Sequence, residues 1–319
     1  MRRNFRPTLT RPQDFREFWN STRLQLESLD PQIERRAIET MPREDIEGDV
    51  ISFESLGHAR VSAYFLRWRD QAPRPLIIYS HGYGCQCAPR WDWARRGINV
   101  LGVDIRGFGL SAEALPHRSR WGYVLTGIDT PETSVLRQAV CDYMQAARAG
   151  TILCAKTLSR TVFHGVSFAG GLALMSAAVL DSPDLLAVGV PTFGWAEGRN
   201  LFVRSGSGAE ISNYLAKRPD HVEDTMLVMR YFDANNFAGD IRCPTLIGVG
   251  LEDEVVPAKT VYGIANHISG PHELMEFPFS HTDRPEEQLW GRFEACWLEI
   301  ALHGVPTGFG NTGTESGDT

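Results

Sequence analysis

The chain has 319 residues, of which 43% are hydrophobic and 22% are charged, a balance typical of an ordinary soluble globular protein. Its formal net charge of −7 and the lack of a basic run argue against a nucleic-acid-binding protein, because such proteins neutralise phosphates with Lys and Arg. No apolar run approaches the roughly 20 residues of a membrane-spanning helix, and the basic N-terminus lacks the apolar segment of a secretory signal. We therefore expect neither a nucleic acid nor a membrane as partner.

The cysteines show no spacing typical of a zinc site, and we expect no metal. The pair in CQC at 85–87 is too close for a disulfide without strain. Reduced, mostly buried thiols in a cytoplasmic protein are the simplest interpretation. The six residues are Cys85, Cys87, Cys141, Cys154, Cys243 and Cys296.

The N-terminal part of the chain predicts a helix followed by a β-hairpin. Residues 11–29 carry apolar side chains at mostly helical spacing, which predicts an amphipathic helix packed on a larger body. Residues 51–68 alternate between apolar and polar on both sides of a glycine-containing turn, a pattern typical of a hairpin. The apolar residues of the helix are Phe15, Phe18, Trp19, Leu24 and Leu26.

Short apolar runs alternate with helical patterns along the rest of the chain. Continuous apolar strands are expected where helices cover both faces of a parallel sheet. The alternation therefore predicts an α/β fold with a mainly parallel sheet flanked by helices. The apolar runs span 75–82, 98–104, 161–167, 185–191, 244–250 and 272–279, and the helical patterns span 131–149, 170–180, 257–268 and 284–302.

Residues 194–240 interrupt this alternation. The segment is too long for a simple connection, its helical periodicity is patchy, and long insertions in compact domains are often lids or binding loops. We predict a single domain over 1–305, with this helical insertion before the last strands. The polar tail over 306–319 is rich in Gly and Thr and is expected to be disordered.

Three residue types suited to nucleophilic catalysis stand at the ends of predicted strands. Ser167 lies in GVSFAGG, Asp253 lies in LEDEVVP, and His281 lies in FPFSHTD. In α/β sheets the active groups gather beyond the carboxyl ends of the strands. Serine, then acid, then histidine is the chain order of the α/β-hydrolases.

The residues around Ser167 suit a nucleophile on a sharp turn. A serine attacks when a histidine takes its proton, and a carboxylate must fix the tautomer of that histidine and stabilise the imidazolium. Small neighbours let the chain turn sharply and let the next helix lie close to the strands. The N–H of Phe168 would then face a developing oxyanion, and the loop HGYG at 81–84 would supply a second N–H, from Tyr83. The small neighbours are Gly165, Ala169, Gly170 and Gly171.

Other residues in the sequence could serve as the catalytic acid or as the catalytic histidine. Glu252 and Glu254 flank Asp253, although the position of Asp253 after the strand favours it. His272 precedes its predicted strand, and His303 lies far along the last helix, so both are poorer candidates than the histidine at 281.

Other residues near the candidate site have structural interpretations. Ser167 could cap the following helix, but a cap does not require glycines on both sides. His81 would shape the oxyanion loop, and His164 would fill a buried strand position. Cys85 and Cys87 lie close to the loop but have no dedicated base in their sequence context.

Several longer stretches resemble the acetyl xylan esterase and cephalosporin C deacetylase family of carbohydrate esterases. They include VLGVDIRGFGLS, GVSFAGG, AEISNYLAKRP and FPFSHTD, and the most specific stretch spans 231–268. The resemblance covers most of the chain and implies an α/β-hydrolase fold, removal of acetyl groups from small acetylated sugars and related esters, and often a hexamer. It implies the catalytic triad Ser167, Asp253 and His281, with an oxyanion hole formed by the N–H groups of Tyr83 and Phe168.

The chain departs from the family pattern close to the candidate site. Phe108 stands where the family has Gln, and Phe168-Ala169 stands where the family has Gln-Gly. Thr282 follows His281 where the family has Glu. Because an oxyanion contact at residue 168 uses the backbone, a phenyl side chain there is compatible with catalysis. Phe108 and Thr282 are candidate pocket residues, and the two phenyl groups predict a less polar pocket.

The sequence thus predicts a cytoplasmic serine esterase that forms an acyl-enzyme on Ser167 and hydrolyses short-chain esters, with acetyl as the leading acyl group. One alternative is an α/β-hydrolase acting on another ester, a thioester or a lactone with a more apolar acyl group. A second is an inactive family member that binds an acylated ligand, which an intact triad disfavours. We expect a small-molecule ester as partner, no metal or organic cofactor, and a homo-oligomer.

Overall fold

The computed structural model describes residues 3–39, 45–181, 183–279 and 287–310. Within these ranges nine strands form one sheet. The strands are β1 Glu34–Ala37, β2 Ile46–Ser55, β3 Ala59–Trp68, β4 Arg74–Ser80, β5 Asn99–Asp104, β6 Leu158–Val166, β7 Leu185–Gly189, β8 Thr245–Gly250 and β9 His272–Phe277.

The sheet has the strand order β1-β2-β3-β5-β4-β6-β7-β8-β9. From β5 to β9 every neighbouring pair is parallel, whereas β1, β2 and β3 extend the sheet by antiparallel pairing. Strands β5, β7 and β8 are buried along their whole length, as expected for a sheet covered on both faces. The predicted α/β architecture with a mainly parallel sheet is confirmed.

Helices cover both faces of this sheet. One buried cluster joins the sheet to α1, α3, α4, α8 and α9, and a second cluster on the opposite face includes side chains of α2 and α10. Alternate residues of β4 enter the two clusters, with Ile78 on the first side and Ile77 on the second. The helices are α1 Phe15–Glu27, α2 Trp91–Ala94, α3 Val135–Cys154, α4 Phe168–Leu180, α5 Ala196–Phe202, α6 Gly206–Lys217, α7 Val222–Arg230, α8 Ala234–Ala238, α9 Ala258–Ala265 and α10 Glu287–His303.

The N-terminal helix and the hairpin occur where the sequence predicts them. Phe15, Phe18 and Trp19 of α1 are buried, but Leu24 is 51% exposed, so its assignment to the apolar face is wrong. Strands β2 and β3 pair from Ser55 and Ala59 outward, around a short turn that contains Gly57 at φ 73°.

Helix α3 begins later than the sequence predicts. Residues 131–133 form a turn in which the Thr133 hydroxyl donates to the Gly127 carbonyl at 2.7 Å. Ser134 then caps the helix by accepting from the N–H of Leu136 at 3.2 Å. The capping serine at 134 therefore marks the start of the helix, three residues after the predicted start at 131.

The insertion over 194–240 folds into helices α5 to α8, between β7 and β8. Helix α8 is buried throughout, and the N–H of Ala234 donates to the Phe193 carbonyl at 2.9 Å. That the insertion acts as a lid stays a prediction. The predicted tail is described only as far as residue 310, and across the four described ranges no helix is both long and apolar enough to cross a membrane.

Candidate active site

Ser167 lies at the sharp turn between β6 and α4. Its backbone has φ 58° and ψ −115°, a conformation that L-residues rarely adopt. Its N–H donates to the Gly189 carbonyl at 2.9 Å, and its carbonyl accepts from Gly171 at 3.1 Å and from Thr192 at 3.0 Å. Three hydrogen bonds therefore hold a strained residue at the carboxyl end of a central strand.

The side chain of Ser167 does not cap the helix that it precedes. Within the described residues, its hydroxyl makes no hydrogen bond to the backbone of α4. The capping alternative therefore lacks its defining contact.

Glycines make this turn possible. A Cβ at Gly165 would lie 2.3 Å from the carbonyl carbon of Ala169, and a Cβ at Gly171 would lie 2.6 Å from the carbonyl oxygen of Thr192. The first turn of α4 thus lies directly against β6 and against the segment that follows β7. This contact requires the small residues that the sequence shows around Ser167.

The loop at 81–84 lies beside the start of α4. The ring centroids of Tyr83 and Phe168 are 5.4 Å apart, and the rings of Tyr83 and Phe108 are 5.9 Å apart. His81 accepts from the N–H of Ile105 at 3.2 Å and contacts the Gly82 carbonyl at 2.9 Å. Burial lowers the pKa of His81, so a neutral imidazole links the loop to the end of β5.

The phenyl rings near the turn are packed inward. Phe168 is 0% exposed, and Phe108 is 7% exposed. Phe108 lies 4.6 Å from Tyr123 between ring centroids, with the Arg118 guanidinium 5.0 Å from its ring. The Phe168 ring therefore belongs to the packed interior, and Phe108 is the more accessible of the two.

Asp253 lies in the turn after β8. Its carboxylate oxygen Oδ1 accepts from the N–H groups of Val255 and Val256, both at 2.8 Å, and the residue is buried. A Cβ at Gly250 would approach Oδ2 of Asp253 to 3.2 Å. Two backbone donors therefore fix one oxygen of this carboxylate at the carboxyl end of β8.

His281 and Thr282 lie outside the described residues. The described segment that precedes them ends at residue 279, close to the turn that carries Asp253. The two are close because β8 and β9 pair in parallel up to Gly250 and Phe277. A Cβ at Gly250 would also lie 2.9 Å from the carbonyl oxygen of Phe279. Tyr83, Phe108 and Phe168 form one contact cluster beside Ser167, and Asp253 lies on the same edge of the sheet, two strands away.

The insertion contributes buried charged groups that sequence reasoning missed. Asp233 accepts from the N–H groups of Trp195 and Ala196 at 2.9 and 2.8 Å, and burial raises its pKa to about 6. Arg199 is 3% exposed and donates to the Ser207 hydroxyl at 2.9 Å, and burial lowers its pKa to about 10. Asp233 lies within the stretch 231–268 that resembles the family and caps α8, so a capping signal marks it, whereas no motif marks Arg199.

Glu210 is a further residue that the sequence did not single out. Its oxygen Oε1 accepts from the Tyr83 hydroxyl at 2.5 Å, and Oε2 accepts from the N–H of Val124 at 3.1 Å. It lies within AEISNYLAKRP, one of the stretches that carry the family resemblance, but a single Glu on a helix has no distinguishing pattern.

The other polar candidates have structural partners. His164 is buried in β6, contacts the Ala187 carbonyl at 2.9 Å and stacks on Trp297 at 4.4 Å. Burial raises the pKa of the Cys87 thiol well above its usual range, which disfavours a nucleophilic thiolate. Cys85 is exposed, and all six cysteines are free.

Comparisons with known proteins indicate the family and the fold of this chain. A family profile described as acetyl xylan esterase (AXE1) matches residues 2–289. The acetyl esterase Axe7A of Xylanibacter ruminicola is 21% identical over 290 residues, and the match covers 86% of this chain but only 64% of that protein.

Solved structures show the same fold. The acetyl xylan esterase from Paenibacillus sp. R4 is 25% identical with a TM-score of 0.81, and the alignment covers 92% of this chain and 98% of that one. Acetyl xylan esterase 1 from Thermoanaerobacterium sp. JW/SL YS485 is 24% identical with a TM-score of 0.82, covering 94% and 97% of the two chains. The chain has the α/β-hydrolase fold and belongs to the acetyl xylan esterase family.

Proposed function

We propose that the protein is a serine esterase that hydrolyses short-chain acyl esters, with acetyl esters as the leading substrates. The observation that carries this proposal is the strained conformation of Ser167 between β6 and α4. Strained backbone at such a position is typical of functional sites, and the strand-to-helix turn is where α/β-hydrolases carry their nucleophile. Family membership supports the same reaction class.

Each proposed catalytic group has a defined role. Ser167 attacks the ester carbonyl while His281 takes the hydroxyl proton and then gives it to the leaving alcohol. Asp253 orients His281, and two backbone N–H groups hold its Oδ1 in place. Water then attacks the acyl-enzyme with the same histidine as base.

The developing oxyanion needs donors that are already in place. The N–H of Phe168 belongs to the first residue of α4, where a helix leaves its N–H groups without intrahelical acceptors. The N–H of Tyr83 would be the second donor. Loss of one such donor lowers kcat by roughly 10²–10³-fold in comparable sites.

Initial rates on p-nitrophenyl esters from acetyl to octanoyl would test this proposal. We expect the highest kcat/KM with acetyl, and we expect Ser167→Ala to abolish the activity. Ser159→Ala is a matched control, because Ser159 lies exposed on β6, the strand that precedes Ser167. Activity that survives in Ser167→Ala would contradict the proposal, as would failure of a fluorophosphonate to label Ser167.

The alternative with a more apolar acyl group depends mainly on Phe108, since the ring of Phe168 is fully buried. A rate maximum at butyryl or longer esters would favour this alternative. Phe108→Gln, which restores the family residue, should then shift the maximum back toward acetyl.

The cytoplasmic location and the homo-oligomer stay predictions. The family resemblance implies a hexamer, and sedimentation velocity would test the oligomeric state.

A further inference from the structure

The oxyanion loop is hydrogen-bonded to the helical insertion by one carboxylate. The Tyr83 hydroxyl donates to Oε1 of Glu210 at 2.5 Å, and the N–H of Val124 donates to Oε2 at 3.1 Å. Glu210 lies on α6, 127 residues from Tyr83 in the chain. One side chain therefore joins the loop after β4, the turn at 123–125 and the insertion.

The position of this carboxylate is itself fixed by packing. A Cβ at Gly122, whose φ is 127°, would lie 2.1 Å from Oε2 of Glu210, so the backbone approaches the carboxylate closely. One helical turn further along α6, Tyr214 packs against Trp121 with ring centroids 5.4 Å apart. The helix thus contacts the 121–124 segment at two points, and Glu210 is held in one place.

The Tyr83 ring is packed among three other aromatic rings. It packs against the rings of Phe108, Tyr123 and Phe168 at centroid distances of 5.9, 6.1 and 5.4 Å. Burial, followed by the hydrogen bond to Glu210, raises the pKa of the Tyr83 phenol, so the hydroxyl remains a donor at neutral pH. A hydrogen bond to a carboxylate is stronger than one between neutral groups.

We propose that Glu210 is a positioning residue that holds the Tyr83 ring, and through it the Tyr83 backbone N–H, in the place needed for transition-state stabilisation. The proposal rests on the proposed esterase function, in which that N–H is an oxyanion donor. The insertion would then contribute to the chemical step by fixing the oxyanion loop, apart from any contact with substrate.

The proposal predicts a specific kinetic signature. Displacement of a catalytic group by about 1 Å can lower the rate by about 100-fold. We expect Glu210→Leu and Tyr83→Phe each to lower kcat on p-nitrophenyl acetate by roughly 10–100-fold. KM should stay within about threefold, because the oxyanion contact strengthens only in the transition state. Tyr83→Phe leaves the backbone N–H in place, so it isolates the effect of the hydroxyl.

Three comparisons make the experiment decisive. Glu210→Gln should recover part of the lost kcat, since an amide oxygen can still accept from the Tyr83 hydroxyl. The double variant Tyr83→Phe/Glu210→Leu should lose no more than the worse single variant, because both changes remove one interaction. Glu223→Leu is the matched control, since Glu223 is an exposed acidic residue of the same insertion.

The possible results separate this proposal from the esterase assignment. If Ser167→Ala is inactive while Tyr83→Phe keeps kcat within twofold, the positioning role is overturned and the esterase function stands. A rise in KM alone would also overturn it, because it would indicate substrate binding. If Glu210→Leu fails to fold, Tyr83→Phe and Glu210→Gln still decide the outcome. Activity that survives in Ser167→Ala would instead overturn the esterase function itself.

Discussion

Gly165→Ala should disturb the candidate active site through a single added methyl group. The added Cβ would lie 2.3 Å from the carbonyl carbon of Ala169 and 2.4 Å from its oxygen, whereas carbon atoms in contact are about 3.5–4.0 Å apart. Both nearest atoms belong to the backbone, so no side chain can rotate to make room. The first turn of α4 must therefore move away from β6 by about 1 Å.

This movement should affect stability and catalysis together. Overpacking of this kind costs about 1–3 kcal/mol, and a shift of about 1 Å at Ser167 lowers the rate by about 100-fold. Urea unfolding and kcat/KM on p-nitrophenyl acetate would measure the two effects. Gly291→Ala is the control, because a Cβ there meets nothing within 4 Å and the residue lies exposed on α10. Retention of kcat/KM within about threefold in Gly165→Ala would refute the geometric reasoning, since a shift of about 1 Å should cost far more.

Two further predictions concern buried polar groups. Burial lowers the pKa of His164 from 6.5 to about 3, so the unfolded chain binds a proton that the folded chain excludes, and stability is lost as the pH falls below 6.5. Between pH 7 and pH 5 the wild type should lose about 2 kcal/mol more unfolding free energy than His164→Phe, and equal losses in urea titrations would contradict this. Asp142→Asn should cost about 3–5 kcal/mol in the same assay, because Arg106 would keep its charge without the carboxylate that it contacts at 2.6 and 2.8 Å in the interior. A cost below about 1 kcal/mol would show that Arg106 finds other compensation.

The sequence predicted the sheet and the turn at Ser167 because both have local signals. Continuous apolar runs mark the buried parallel strands, and the glycines around Ser167 mark a close contact between helix and strand. The apolar run at 244–250 likewise predicts the end of β8, and Asp253 lies in the turn three residues after Gly250. Its role and that of His281 remain proposals.

Interactions between distant segments could not be predicted from local patterns. The contact between Glu210 and Tyr83 depends on how the insertion folds back onto the loop after β4, and no periodicity encodes that path. The inward packing of Phe168 likewise depends on rings from four other segments, among them Phe193 and Tyr123. From the sequence alone, the phenyl group of Phe168 suggests an apolar substrate pocket. In the structure the same ring fills the protein interior.

The antiparallel extension of the sheet bears on how copies of this protein could associate. Strand β1 forms one edge of the sheet, and its four residues, ERRA, are all exposed. The Nε of Arg35 donates a hydrogen bond to the Asp49 carboxylate at 2.9 Å, which keeps the guanidinium charge at this edge of the sheet. A short and charged edge strand discourages main-chain pairing with another molecule. Main-chain pairing of two copies through the β1 edge is therefore disfavoured.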